Sequence, residues 1–335
     1  MKTFAVDPAA HAEAWRRQGW VHITNGVSAE FLAHLVELNQ RCQVDAALSG
    51  QGIQGAKDQW MYEPPDGDDL VGELFDMVSA LCGLRRETLT LSERHLKRYS
   101  KDADPDPPAH KDRYASQVAV GISIEVAPTS CLALYPFDHR DLNPFLTGAL
   151  RQTLGPDQLP EVALREARSI EIADRPGDVL VFPGSSMWHL RRRSAGTANL
   201  YLKCNDFDCD PLGEDPTTDT RRRSTDDLLA IGSRDELARA IPVLSRRLEW
   251  VGRLAQRAWH GTPAVKVWDR PVLPVSEPQM QVLEALDGVS TWKELSARVA
   301  GDGMGADLEA ELVGLARRGA IDLLAPGSAG VKGGQ

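Results

Sequence analysis

No uninterrupted apolar run in this 335-residue chain approaches the roughly 20 residues that span a bilayer. Positive charge is also scarce. The 38 Lys+Arg are outnumbered by 48 Asp+Glu, giving a formal net charge of −10, which argues against general nucleic-acid or anionic-membrane binding. Cysteine is sparse and scattered: the five thiols, Cys42, Cys82, Cys131, Cys204 and Cys209, include no CxxC pair. A zinc ribbon and a thioredoxin-like site are therefore excluded, and the thiols read as reduced. The opening Met1–Asp7 turns acidic before any leader core forms, so the expected location is cytoplasmic. Internal repeats are absent. What remains is an ordinary globular composition, 42% hydrophobic and 26% charged, which excludes a disordered or collagenous chain.

Residues 8–42 read as helix, strand (Trp20-Val21-His22-Ile23), helix, and 70–81 as a further helix. The Gly/Gln/Asp/Pro-rich stretch 49–67 reads as a loop carrying Trp60-Met61-Tyr62. From Leu89 the period changes. Strand signals recur at 89–91, 95–99, 117–124, 131–135, 169–172, 178–182 and 199–203, punctuated by Gly, Pro and Asp. Only 138–165 looks helical among them. Several short strands without alternating helices favour an antiparallel sandwich or barrel. Residues 208–226 read as an exposed connection, followed by helices at 226–240 and 243–259. A strand at 265–268, helices at 277–286, 292–300 and 307–318, and a strand at 320–324 suggest a small winged-helix-like module. The resulting division is 1–208 as the β domain, 209–260 as linker and connecting helices, 261–326 as the C-terminal module and 327–335 as a tail.

The chemistry concentrates in His110-Lys111-Asp112. Residues two apart on an extended chain point the same way, so an imidazole and a carboxylate can address one point. A second His opposite would complete a facial triad with open positions, the arrangement of non-haem Fe(II) sites. His189 is the natural candidate, since it follows the turn Arg175-Pro176-Gly177-Asp178 and the strand that ends in Phe182-Pro183. His95 reads instead as facing a strand neighbour, and His139 as part of cap chemistry.

Taken in order, Arg98-Tyr99, His110-Lys111-Asp112, Leu132-Ala133-Leu134-Tyr135, Pro176-Gly177-Asp178, Phe182-Pro183 and Trp188-His189 resemble the Fe(II)/2-oxoglutarate-dependent dioxygenases, of the phytanoyl-CoA or prolyl hydroxylase type. The resemblance covers about residues 15–208. It implies a mainly β chain with flanking helices, with a double-stranded β-helix (jelly-roll) core. It implies that His110, Asp112 and His189 hold Fe(II), that 2-oxoglutarate occupies two of the open positions, and that O2 takes the last. The carboxylate of Asp112 points to hydroxylation, desaturation or oxidative ring closure, because family halogenases leave that position to a small residue. In this family a basic residue, usually Arg, follows the distal His by about ten positions and grips the far carboxylate of the co-substrate as a bidentate pair. Here Gly196–Tyr201 contains no Arg. Lys203, on the same strand parity as Asn199 and Tyr201, is one replacement, and Arg98, Arg191 and Arg193 are others. Arg98, Tyr99, Tyr135, Asn199, Tyr201 and Lys203 are the co-substrate candidates; Gln54, Trp60, Tyr62 and Arg113 are the substrate candidates.

The expected substrate is a polar small molecule, with an amine-bearing metabolite of antibiotic or other secondary metabolism as the leading class. Nucleic acid and membrane are not expected partners, and a homodimer is left open. The rivals are a protein hydroxylase of the ribosomal-oxygenase kind, a non-catalytic jelly-roll binding protein, and a cupin-like metalloenzyme.

Overall fold

The computed structural model describes residues 1–44, 51–53, 57–146, 150–251, 263–268, 270–300 and 308–325. The chain divides into two compact units, Met1–Phe207 and Asp208–Gln335.

In the first unit, strands β1 (Val21–Ile23), β2 (Gln51–Ile53), β3 (Lys57–Met61), β4 (Thr90–Tyr99), β5 (Val118–Glu125), β6 (Cys131–Tyr135), β7 (Ile170–Ile172), β8 (Val179–Phe182), β9 (Trp188–Arg192) and β10 (Ala198–Asn205) form two antiparallel sheets. The larger runs β1-β8-β5-β10-β4-β3-β2, and the smaller runs β7-β6-β9. An isolated bridge, His110↔His189, adds one more extended segment beside β9. From β4 the chain passes to that bridge in the small sheet, returns to β5, crosses to β6 and β7, returns to β8, crosses to β9, and ends in β10. This repeated crossing between facing sheets is a jelly roll.

Alternation sorts the side chains. Val118, Val120, Ile122, Val179, Val181, Leu200 and Leu202 face a helical layer that includes Ala29–Val44 and Leu70–Cys82, where Phe31, Leu35, Leu74 and Val78 complete the largest core. Between the sheets, Ala119, Leu180 and Phe182 meet Leu132, Leu134, Ile172 and Met187. Behind the small sheet, Tyr135, Trp188 and Leu190 pack on Leu164, with Leu150 and Leu154 against them. Each fully buried Leu, Ile or Phe contributes about 1.5–3 kcal/mol.

The expected loop over 49–67 is corrected in part: Gln51–Ile53 and Lys57–Met61 are strands, in register as Ile53↔Lys57. β3 then pairs along β4 from Lys57↔Tyr99 to Met61↔His95. Backbone ladder bonds need no apolar alternation, which is why the composition gave no strand signal. The separate strand signals at 89–91 and 95–99 are one strand, Thr90–Tyr99. The helical interval at 138–165 holds only Leu150–Thr153 and Pro160–Ala163 among its described residues.

In the second unit, the expected exposed connection is a helix, Pro216–Ile231. Asp215 caps its start and Pro216 occupies its first turn. A short helix follows at Arg234–Arg239. Where a helix over 243–259 was expected, β11 (Ile241–Leu244) and β12 (Leu248–Val251) are extended. β11 pairs with β15 (Ile321–Leu324), while β12 pairs with β13 (Ala264–Val267), which pairs with β14 (Leu273–Pro274). Helices Glu277–Ala285, Trp292–Ala300 and Leu308–Arg317 supply Leu283, Leu295, Leu312 and Leu315 to a core shared with Ile321 and Leu323. No helix among the described residues is long and apolar enough to cross a membrane.

Candidate metal centre

His110, Asp112 and His189 present one nitrogen or oxygen each, all within 4.8 Å of one another. Backbone pairing sets this up. His110 and His189 exchange N–H···O bonds of 2.9 Å in both directions, and Asp112 N donates to Gly184 O at 2.9 Å. The imidazole centroids are 4.4 Å apart. His189 is buried, with Nδ1 2.9 Å from Met187 O. A carbonyl only accepts, so Nδ1 carries the proton and Nε2 keeps its lone pair for a metal. Burial, with Lys203 and Lys57 nearby, lowers the His189 pKa despite Asp112, which favours the neutral, ligating form. His110 is exposed and marks the open side of the site.

Gly184 is required by this geometry. A Cβ there would lie 2.5 Å from Asp112 Oδ2, so any larger residue would displace the ligand carboxylate. The contact at Gly121 is milder: a Cβ there would sit 3.1 Å from the Tyr201 ring, which would have to give by a few tenths of an ångström.

The face of the large sheet turned towards these ligands is polar and ordered in rows. Lys57 stands beside Tyr99; in the other rows Asn199 lies between Lys97 and Ser123, Tyr201 between His95 and Gly121, and Lys203 between Glu93 and Ala119. Lys203 Nζ donates to Asp112 Oδ1 at 2.8 Å and reaches Glu93 Oε1 at 3.0 Å. Glu93 also pairs with Lys97 at 2.7 Å and with Arg113 at 3.5 Å. Burial pushes the Glu93 and Asp112 carboxyls upward, but Lys203, helped by Lys97 at Glu93 and by the two histidines at Asp112, brings both well below the carboxylate range. They are acceptors only. Burial outweighs Glu93 at Lys97 and pushes its pKa down to about 8. Burial raises Tyr201 to about 12 and also raises Tyr99, so both phenols stay protonated.

The structure brings together His110, Asp112 and His189, which sequence reasoning grouped, and places the co-substrate candidates Tyr99, Asn199, Tyr201 and Lys203 on the inward face. Four of the other sequence candidates stand elsewhere. Arg98 has the opposite strand parity and meets Asn39 on the helical layer (3.4 Å) and Glu125 (3.6 Å). Tyr135 faces the core behind the small sheet. Trp60, across from Leu96, packs on the outer core, and Tyr62 is buried there against Phe31 and His34. Arg113 reaches Glu93, and Gln54 lies outside the described residues. Lys203 is engaged by two carboxylates. Arg191 is inward and buried, donating to Asp174 at 2.9 and 2.7 Å, and Arg193 donates to Thr129 O at 2.7 Å. Sequence reasoning missed Glu93. Its only signal was its parity with His95, Lys97 and Tyr99.

No family model and no curated protein sequence matches the chain. Solved structures similar to it include the non-haem α-ketoglutarate-dependent carbocyclase SnoK from nogalamycin biosynthesis, at TM-score 0.46 and 13% identity, covering 61% of this chain and 86% of that one. The epimerase SnoN of the same pathway matches at TM-score 0.43 and 17% identity, covering 59% and 84%. HygX from Streptomyces hygroscopicus, with nickel, 2-oxoglutarate and hygromycin B bound, matches at TM-score 0.39 and 13% identity, covering 59% and 87%.

Proposed function

We propose that this protein is an Fe(II)- and 2-oxoglutarate-dependent oxygenase acting on a polar small molecule by hydroxylation, desaturation or oxidative ring closure. The observation that carries the reading is the convergence of His110, Asp112 and His189 inside a jelly roll, with one side open. Two neutral imidazoles and one carboxylate on a single face suit a divalent first-row metal that keeps positions for other ligands. Ferrous iron with 2-oxoglutarate and O2 would supply the oxidising power for C–H cleavage.

The chain's own groups prepare that chemistry. Lys203 occupies the second oxygen of Asp112, which fixes the carboxylate with its other oxygen towards the histidines. Met187 O sets the tautomer of His189. Phe182, whose ring centroid is 4.8 Å from that of His189, and Leu134, paired with His189 on β6, form a dry wall that limits water at the reacting centre. In the second unit, we read the three helices from Glu277 to Arg317 with β15 as a winged-helix-like module.

The test is decarboxylation of 2-oxoglutarate. Incubated with Fe(II), O2, 2-oxoglutarate and ascorbate, which reduces the second oxygen atom when no substrate is present, the protein should release succinate and CO2, and Asp112→Ala should not. Polar, amine-bearing metabolites are then screened for acceleration of that release. Equal release from wild type and Asp112→Ala would reject the reading.

A further inference from the structure

On the inward face, every lysine and arginine named above except Lys57 has a carboxylate partner among the described residues. Lys97 pairs with Glu93, Lys203 with Asp112 and Glu93, Arg113 with Glu93, and Arg191 with Asp174. Lys57 has no carboxylate partner among the described residues; its Nζ stands 5.3 Å from the centre of the Tyr99 ring. The side chain is half-buried. Register puts it beside Tyr99 on the face that carries Lys97, Tyr201 and Lys203. Two buried polar atoms on the inward-facing residues, Arg191 Nε and Asn199 Oδ1, likewise lack a partner among the described residues. Unmet hydrogen-bonding capacity in such a place calls for a ligand or water.

Charge sets the class of ligand. Glu93, Asp112 and Asp174 are outnumbered by Lys57, Lys97, Lys203, Arg113 and Arg191, and a divalent metal would widen the surplus. A half-buried ammonium with no counter-ion, next to this surplus of cations, favours an anion entering between the sheets.

We propose that Lys57 binds the remote carboxylate of the 2-oxo dicarboxylate co-substrate, taking the role for which β10 offers no arginine. This rests on the 2-oxoglutarate reading above. Lys97 and Lys203 are poorer anchors, because each would have to give up Glu93 or Asp112. Asn199 is uncharged and supplies hydrogen bonds alone. Lys57 comes from β3, a strand that composition read as loop, which is why no motif announced it.

Calorimetry on the Mn(II)-loaded full chain separates the outcomes. It compares 2-oxoglutarate with 2-oxopentanoate, which has the same carbon chain but no far carboxylate. Wild type is expected to bind the dicarboxylate ~10–100-fold more tightly, the scale of one charge-assisted hydrogen bond. Lys57→Met should reduce that preference to within about threefold, with Mn(II) and 2-oxopentanoate binding unchanged, and Lys57→Arg should retain most of it. Full preference in Lys57→Met would overturn the assignment. So would equal weakening of both ligands, which would mark a purely structural role. If wild type binds Mn(II) but neither 2-oxo acid, the 2-oxoglutarate reading itself falls, and the role of Lys57 falls with it.

Discussion

The two faces of the large sheet are made by the same strands and do opposite work. On β10, Ala198, Leu200, Leu202 and Cys204 enter the core under the helices, while Asn199, Tyr201 and Lys203 line the space between the sheets. One face is specified by volume and the other by charge pairing. A change on the first should cost stability with little effect on ligand chemistry. A change on the second should alter metal or anion binding by more than its effect on folding.

The largest effect expected on the inner face is loss of the metal. His110→Ala should abolish Fe(II)-dependent turnover while the melting temperature stays close to that of the metal-free wild type, because His110 is exposed. Next comes Lys203→Met, which leaves Glu93 and Asp112 without their shared cation. Breaking a buried pair costs about 3–5 kcal/mol, and loss of a group that orients a ligand weakens metal binding ~10–100-fold. Urea unfolding and a metal titration measure the two separately. On the outer face, Leu200→Ala should cost about 2–5 kcal/mol in urea unfolding with metal affinity unchanged; a fall in affinity would break the division between the faces. Far from both, Arg151→Ala removes a half-exposed pair with Glu161 and should shift stability by less than about 1 kcal/mol.

The same contrast explains what the sequence reveals. The outer face is legible because Val118, Val120 and Ile122 alternate with Ala119 and Gly121, and two-residue periodicity survives any change of partner. His110 and Asp112 are legible for the same reason, since their spacing alone puts them on one side. Glu93 and Lys57 are not, because their importance lies in cross-strand pairing, Glu93↔Lys203 and Lys57↔Tyr99, which no local pattern records. The helix Pro216–Ile231 is hidden for a related reason. Its apolar residues are few, and polar contacts hold it, including Thr225 Oγ1 accepting from Leu323 N at 2.8 Å. Arg98 is a candidate through the motif Arg98-Tyr99 and its charge, and Trp60 and Tyr62 are candidates through a stretch that reads as a loop. Strand parity turns Arg98 and Trp60 to the outer face, and Tyr62 is buried in the same core.

The most direct measurement is anaerobic absorption spectroscopy of the protein with Fe(II) and then 2-oxoglutarate. The account predicts a weak visible charge-transfer band in wild type that is missing in His110→Ala. A protein that binds Fe(II) at these three residues yet gives no band with 2-oxoglutarate would contradict it.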